Sequence, residues 1–290
     1  MPVQRKDIAW IFESYERHGG ESDHFLLIGG GAGTHWYFAL SDEGDDAEEP
    51  AQLQTRDIDF HVRGNNTLGV VRERIELLAR SIGAQATCPR LGEPTPEYAR
   101  LIIPGHFETG EDLEIDLLKS PHGLSVEEIE QHAERLYFDS EEESPETTYP
   151  VLHPVHVVLG LCMSYLELPS KRDAVTLQRI EALLPIVRKY LSAQAQYAET
   201  PWLGEDERKQ IQKEALWGIR KLMKESARPD FATLYLVQDV DLTQAVPTKE
   251  EAPLDPKFWG LEFPSLEEAV ERRRQAACNR RACNRPSRHQ

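Results

Sequence analysis

The chain has 290 residues and a net charge of −17, from 33 Lys and Arg against 50 Asp and Glu. Apolar residues make up 40% of it, enough for a core, and no window reaches the ~20 uninterrupted apolar residues of a membrane span. The excess of acid disfavours broad, non-specific binding to nucleic acid, and Met1 to Asp7 lacks the apolar run of a signal peptide. The expectation is a cytoplasmic protein with no membrane contact, in one large domain or two smaller ones.

Taken in order, Ile8, Ile11, Phe12 and Tyr15 recur at helical spacing and predict a first helix over 5–18, stopped by Gly19-Gly20. Phe25 to Ile28 reads as a buried strand that ends in the turn Gly29-Gly30-Gly31, and Ala32 to Leu40 as the helix after it. Residues 41–53 read as an exposed loop, since 41–50 carry six acids and no base. Asp57 to Val62 alternates as a half-buried strand does. Residues 67–82 make an amphipathic helix on Leu68, Val71, Ile75, Leu78 and Ile82. Ala99 to Ile103 and Leu113 to Leu118 are a pair of strands joined across Gly105 to Gly110, 125–133 is a helix, and Leu136 to Phe138 a short strand.

Residues 139–150 are polar, with prolines at 145 and 150, and are read as a domain boundary. Beyond them the pattern is helical over 153–166, 170–192, 205–225 and 227–235. The stretch 243–264 holds Pro247, Pro253, Pro256 and Pro264 and reads as irregular, and a last helix runs from Ser265, with capping-box spacing to Glu268, to about Ala277. The end carries seven arginines in 271–290 and reads as a solvated terminus that could touch RNA or fold back. The fold class is α+β: a mixed sheet with flanking helices over 1–150, a helical domain over 151–240, and an irregular segment, terminal helix and Arg-rich tail over 241–290. The cysteines at 88, 162, 278 and 283 form no CxxC pair and read as reduced thiols.

The chemistry concentrates in three places. In Thr55-Arg56-Asp57-Ile58-Asp59-Phe60, residues two apart share a face, so Asp57 and Asp59 project together while Ile58 and Phe60 face the core. Adjacent carboxylates repel unless a positive charge lies between them, and Mg²⁺, which prefers oxygen ligands, supplies one. In Leu113 to Leu118 the same alternation places Glu114 and Asp116 on one face, and if this strand neighbours the first, Asp116 completes a three-carboxylate metal set. Ile28-Gly29-Gly30-Gly31-Ala32-Gly33-Thr34 leads from a strand into a helix, where glycines let backbone N–H groups approach phosphate. It is neither GxGxxG nor a P-loop. His153 and His156 read as structural or substrate-contact side chains rather than a metal pair, and Trp202, Trp217 and Trp259 as packing residues.

Together these residues resemble the nucleotidyltransferase superfamily that includes DNA polymerase β: a Gly-Gly turn (Gly29, Gly30, Gly31), an Asp-x-Asp strand (Asp57, Asp59) and a third Asp on a neighbouring strand (Asp116). The phrases Gly-Gly-Gly-Ala and Thr-Arg-Asp-Ile-Asp look most like the branch related to AbiEii/AbiGii-type toxins, over roughly residues 20–190. The resemblance implies transfer of a nucleoside monophosphate from a nucleoside triphosphate, with Mg²⁺ on Asp57, Asp59 and Asp116, to a hydroxyl on RNA, a protein or a small molecule. Gly29 to Gly31, Thr34, Arg56 and Lys171 are the expected nucleotide contacts. The toxin branch often carries a lysine on the first C-terminal helix. Residues 153–166 contain none, and Lys171-Arg172-Asp173 is the near match to the next Lys-Asp pair. The alternative is a catalytically inactive protein of the same fold acting as a toxin–antitoxin or regulatory partner.

Overall fold

A computed structural model of the chain describes residues 2–41, 50–64, 67–90, 93–138 and 147–283. It divides into two compact units, Met1–Ser164 and Tyr165–Gln290. Most of the acidic stretch at 41–50 and the polar residues 139–146 lie outside the described residues.

The first unit is α+β. In chain order it holds α1 (Arg5–Arg17), β1 (Phe25–Ile28), α2 (Gly29–Leu40), β2 (Asp57–Val62), α3 (Leu68–Ser81), β3 (Gln85–Thr87), β4 (Glu97–Ile103), β5 (Leu113–Leu118), α4 (Val126–Gln131), β6 (Glu134–Phe138), β7 (Thr147–Val151) and the start of α5 (Pro154–Glu167). Among the described residues the strands form one seven-stranded mixed sheet in the order β3-β4-β5-β2-β1-β7-β6. β1 runs antiparallel to β2, and β5 runs parallel to β2. Gly105 and Gly110, both at positive φ, turn the chain from β4 into its antiparallel partner β5.

The two faces of the sheet separate by alternation. Ile58 and Phe60 of β2 and Leu113, Ile115 and Leu117 of β5 are fully buried. α1 covers that face: the Phe12 ring meets Phe60 edge-on at 5.3 Å and stacks on Tyr149 at 4.9 Å. The burial of Ile8, Ile11, Phe12 and Tyr15 is the driving term that makes this helix, since apolar area removed from water stabilises by about 25 cal/mol per Å². The opposite face carries Asp57, Asp59 and His61.

Four local expectations change. The glycine run is not a turn before the helix but its first turn: α2 begins at Gly29, and tertiary packing overrides the poor helix propensity of glycine. Residues 147–150, read as the end of a polar boundary, belong with Val151 to β7, with Pro150 in a strand whose ladder to β1 is a single pair, Leu27 with Val151. β3, three exposed residues at the sheet edge, gave no periodicity to read. Leu53, assigned to an exposed loop, is buried.

The second unit is helical: α6 (Ala174–Tyr197), α7 (Glu205–Ser226), α8 (Pro229–Gln238) and α9 (Phe263–Cys283). α9 starts before Ser265, directly after a π-helical turn at Phe258–Glu262, so Ser265 is not an N-cap and its hydroxyl donates to the Leu261 carbonyl inside the helix. The arginine-rich end is helical through Cys283, and part of it is tied down: Arg274 pairs with Asp241 and lies over the Tyr235 ring, and Arg281 donates to the Leu236 carbonyl. Trp259 is buried, whereas Trp202, read as a packing residue, is 80% exposed in the turn between α6 and α7, where Leu203 takes the buried place. Among the described residues no helix is long and apolar enough to cross a membrane.

Candidate functional site

The polar face of the sheet is built by register. β2 and β5 pair in parallel with Asp57 beside Glu114 and Asp59 beside Asp116. Residues paired in this way project to the same face on strands about 4.8 Å apart. β4 continues the row on the far side of β5, with Arg100 opposite Asp116 and Ile102 opposite Glu114. On the near side, Ile28 at the end of β1 is opposite Asp59. One line across the sheet therefore reads Ile28, Asp59, Asp116, Arg100.

Each carboxylate has a different neighbour. Asp59 lies over the start of α2: a Cβ on Gly29, which sits at φ +63°, would be 2.2 Å from Asp59 Oδ2. Gly29 is thus required twice, by its backbone angle and by the carboxylate occupying the space of a side chain. α2 has no acid in its first turn and no side-chain N-cap, so Asp59, supplied from β2, places negative charge where the helix dipole favours it. Asp57 accepts a 2.6 Å hydrogen bond from the Thr55 hydroxyl, and Thr55 is itself wedged against Gly30, where a Cβ would meet it at 3.1 Å. Asp116 is forked by Arg100, whose Nε donates to Oδ1 at 2.7 Å and Nη2 to Oδ2 at 3.2 Å. The same guanidinium lies 3.5 Å from carboxylate oxygens of Glu114 and Glu97. These acids raise the Arg100 pKa further above its ordinary value, the hydrogen bond to Asp116 first.

The site opens on a cavity of about 310 Å³ lined by Arg56, Asp57, Phe107, Glu111, Asp112 and Glu114. A second cavity, of about 590 Å³, lies along β3 and β4, and Arg90, Thr95 and Arg100 are among its walls. As donors, Asp57, Asp59 and Asp116 suit a hard divalent cation, because all offer carboxylate oxygen. As placed, however, Arg100 engages both oxygens of Asp116, and among the described residues no three His, Cys, Asp or Glu side chains converge closely enough to hold a metal ion.

The other expected contacts are distributed as follows. Gly29, Gly30 and Gly31 form the first turn of α2 beside the carboxylates. Thr34 lies deeper in α2, buried, and donates to the Leu53 carbonyl. Arg56 is exposed on the cavity wall. Lys171 belongs to the second unit, in the exposed turn Pro169–Lys171. His153 and His156 are fully buried in the first unit, their rings 6.1 Å apart and each within 6.5 Å of the His132 ring. Burial, then His156 and His132, hold the His153 pKa well below its ordinary value, so that ring stays neutral at pH 7.

Arg100 is the site residue that sequence reasoning missed. The signal was present in the hairpin: counting back three residues from Ile103 and on three from Leu113 across the Gly105–Gly110 turn places Arg100 against Asp116.

No family model matches the chain, and no curated protein matches it. Among solved structures it is similar to the crystal structure of an antigenic nucleotidyltransferase-like protein from Paracoccidioides brasiliensis, with 10% sequence identity and a TM-score of 0.40 over 86% of this chain and 98% of that one. At that TM-score the likeness carries no weight for activity.

Proposed function

We propose that the chain is a nucleotidyltransferase whose reacting centre is the row Gly29, Asp57, Asp59 and Asp116. The observation that carries this reading is the parallel register of β2 and β5, which puts Asp116 beside Asp59 at the place where β1 turns through Gly29 into α2. That is a strand–helix start beside three carboxylates on adjoining strands, the residue types needed to bind a triphosphate and its counter-cation together.

In this reading the first turn of α2 directs backbone N–H groups at phosphate oxygens, and the absence of side chains at Gly29 to Gly31 lets those oxygens approach. Asp57 and Asp59 would hold a magnesium ion, with Asp57 fixed by the Thr55 hydroxyl. When bound, such an ion neutralises the phosphates and lowers the pKa of an attacking hydroxyl. Asp116, the register partner of Asp59, would complete the carboxylate set around that ion and accept the acceptor's proton. The product is a nucleotidylated hydroxyl, and pyrophosphate leaves. The acceptor is RNA, a protein or a small molecule.

The test is transfer of label from each α-labelled nucleoside triphosphate, with Mg²⁺, to the protein itself, to bulk tRNA and to hydroxyl-bearing small molecules, with Asp59→Ala as control. Label retained by an acceptor and lost in the variant supports the reading. No transfer with any nucleotide and acceptor removes it.

A second reading is favoured by one observation, the fork of Arg100 on Asp116. A protein that has replaced its metal by its own guanidinium would be a binding or regulatory protein, such as one partner of a toxin–antitoxin pair. It predicts partner binding that survives Asp59→Ala, with no transfer.

A further inference from the structure

We propose that Arg100 is the resident cation of the third-strand carboxylate, that it must leave Asp116 before a divalent cation can join Asp57, Asp59 and Asp116, and that the phosphates of the incoming nucleoside triphosphate draw it away. This rests on the nucleotidyltransferase reading above and deepens it, since it makes triphosphate and metal bind as one coupled event.

The geometry gives three reasons. First, the fork is bidentate, with Nε on one Asp116 oxygen and Nη2 on the other, so both oxygens are engaged by the protein's own positive charge. A cation cannot share that carboxylate without meeting the guanidinium, and like charges a few ångströms apart repel strongly even near water. Second, Arg100 is the common neighbour of three acids, Asp116, Glu114 and Glu97. Taking the arginine away leaves a cluster of negative charge that demands a replacement cation. Third, the guanidinium has a way out: its side chain is 42% exposed, over an Asp116 side chain that is 17% exposed.

The fork that fits a carboxylate also fits a phosphate, and a triphosphate carries several charges where Asp116 carries one. The space that would receive it adjoins: Arg100 lines the cavity of about 590 Å³ along β3 and β4, together with Arg90, Thr87 and Thr95. Two guanidinium groups and two hydroxyls there are phosphate-binding chemistry. Glu93 and Glu97 also line that cavity; Glu93 is engaged by the Arg90 backbone N–H. Glu114 lines the separate cavity beside Asp57. A swing of Arg100 toward Arg90 therefore moves positive charge off the carboxylate row and onto the phosphates in one motion.

The test is binding of Mn²⁺ alone to the full chain, read by electron paramagnetic resonance without nucleotide. Arg100→Gln is expected to bind Mn²⁺ about tenfold more tightly than the unmodified protein, the size set by removing one charge near a divalent cation at a hydrated site. Adding Asp116→Asn is expected to abolish the gain. Arg100→Lys, which keeps the charge and loses the fork, should show a smaller tightening, and it serves as the readout if Arg100→Gln does not fold. Binding of inorganic triphosphate without metal should weaken in both variants. Folded variants with unchanged or weaker Mn²⁺ affinity overturn the proposal, as does a gain that survives Asp116→Asn or triphosphate binding that ignores position 100. Nucleotidyl transfer is read separately. Tighter Mn²⁺ binding with no transfer in any form leaves Arg100 in this role and removes the enzyme. Transfer by the unmodified protein with Mn²⁺ affinity unmoved in the variants removes the Arg100 role alone.

Discussion

A methyl group placed on Gly29 would lie 2.2 Å from Oδ2 of Asp59, closer than any real contact of that kind. The two residues are a lock and its clearance: Asp59 rests over the α2 N-terminus only because position 29 has no side chain, and its φ of +63° is one that an L side chain adopts at a cost. Gly29→Ala should therefore destabilise the protein by about 2–4 kcal/mol, of which roughly 1 kcal/mol is backbone strain and the rest the collision. In an Asp59→Ala background the collision disappears and the cost of Gly29→Ala should fall to about 1 kcal/mol. Urea unfolding of the four proteins closes the cycle, and additive costs would show that the two residues do not share that space.

A buried histidine predicts acid sensitivity with a definite sign. His35 in α2 is fully buried, paired with the Tyr149 hydroxyl, and held down to a pKa of about 3 by burial first and Arg5 second. Its folded pKa lies below the unfolded value of 6.5, so below that pH the unfolded chain binds a proton that the native state refuses. Stability is complete above the unfolded pKa and is lost as pH falls from there toward the folded one. His153, depressed in the same direction, adds to the loss. Between about pH 7.5 and about pH 5, His35 removes roughly 2 kcal/mol of unfolding free energy. Carboxylates held by hydrogen bonds, such as Glu251 on Arg188 and Glu262 on Arg220, have lowered values and act only at lower pH. His35→Gln keeps a partner for Tyr149 and should flatten the pH dependence by about 2 kcal/mol over that window; an unchanged slope would remove His35 as a cause.

The alternation that exposed the site in the sequence is the same alternation that builds the sheet. Ile58 and Phe60, and Leu113, Ile115 and Leu117, have no exposure to speak of, so period two was enforced at every position and β2 and β5 could be read directly, together with the face their acids share. β7 escaped because Thr147, Thr148 and Pro150 interrupt any apolar pattern; its buried residues are the consecutive Tyr149, Pro150 and Val151 rather than alternate ones. The start of α2 escaped for the opposite reason: glycine argues for a turn, and only the approach of Asp59 and Thr55 explains why glycine was needed inside a helix. The partner of Asp116 depended on which residue of β4 lies across from it, a matter of hairpin register rather than composition.

The C-terminal arginines divide into tethered and solvated ones, and Arg274 is the tether. It is only 14% exposed, pairs with Asp241 on one side, and stacks 3.9 Å over the Tyr235 ring on the other. Asp241 also accepts from the backbone and hydroxyl of Thr243, capping the short turn that follows it. Arg274→Met keeps the aliphatic stem but leaves a mostly buried carboxylate without its cation and a ring without its cation–π partner, so the second unit should lose about 2–3 kcal/mol. Arg272→Met, at a 71% exposed position on the same helix, should change stability by less than about 0.5 kcal/mol. Thermal unfolding followed by helicity measures both, and equal effects would show that Arg274 does not anchor α9.

Thr55 offers a way to disturb the proposed chemistry without touching a carboxylate. Its side chain is 5% exposed, and its hydroxyl donates to Asp57 Oδ1 at 2.6 Å. Val has the same shape without the donor, so Thr55→Val keeps the packing against Gly30 and costs about 1 kcal/mol of stability for the lost hydrogen bond. Freed of that bond, Asp57 samples other rotamers and holds a cation less well. Groups that orient a metal-binding carboxylate are typically worth 10–100-fold in affinity or rate. If the protein transfers nucleotides as proposed, Thr55→Val should reduce kcat by roughly tenfold or more, with higher Mg²⁺ concentration restoring part of the loss, whereas Thr55→Ser, which keeps the hydroxyl, should retain most of the activity. A Thr55→Val protein as active as the original at limiting Mg²⁺ would mean that Asp57 needs no positioning, and its place among the metal-binding carboxylates would fall with it.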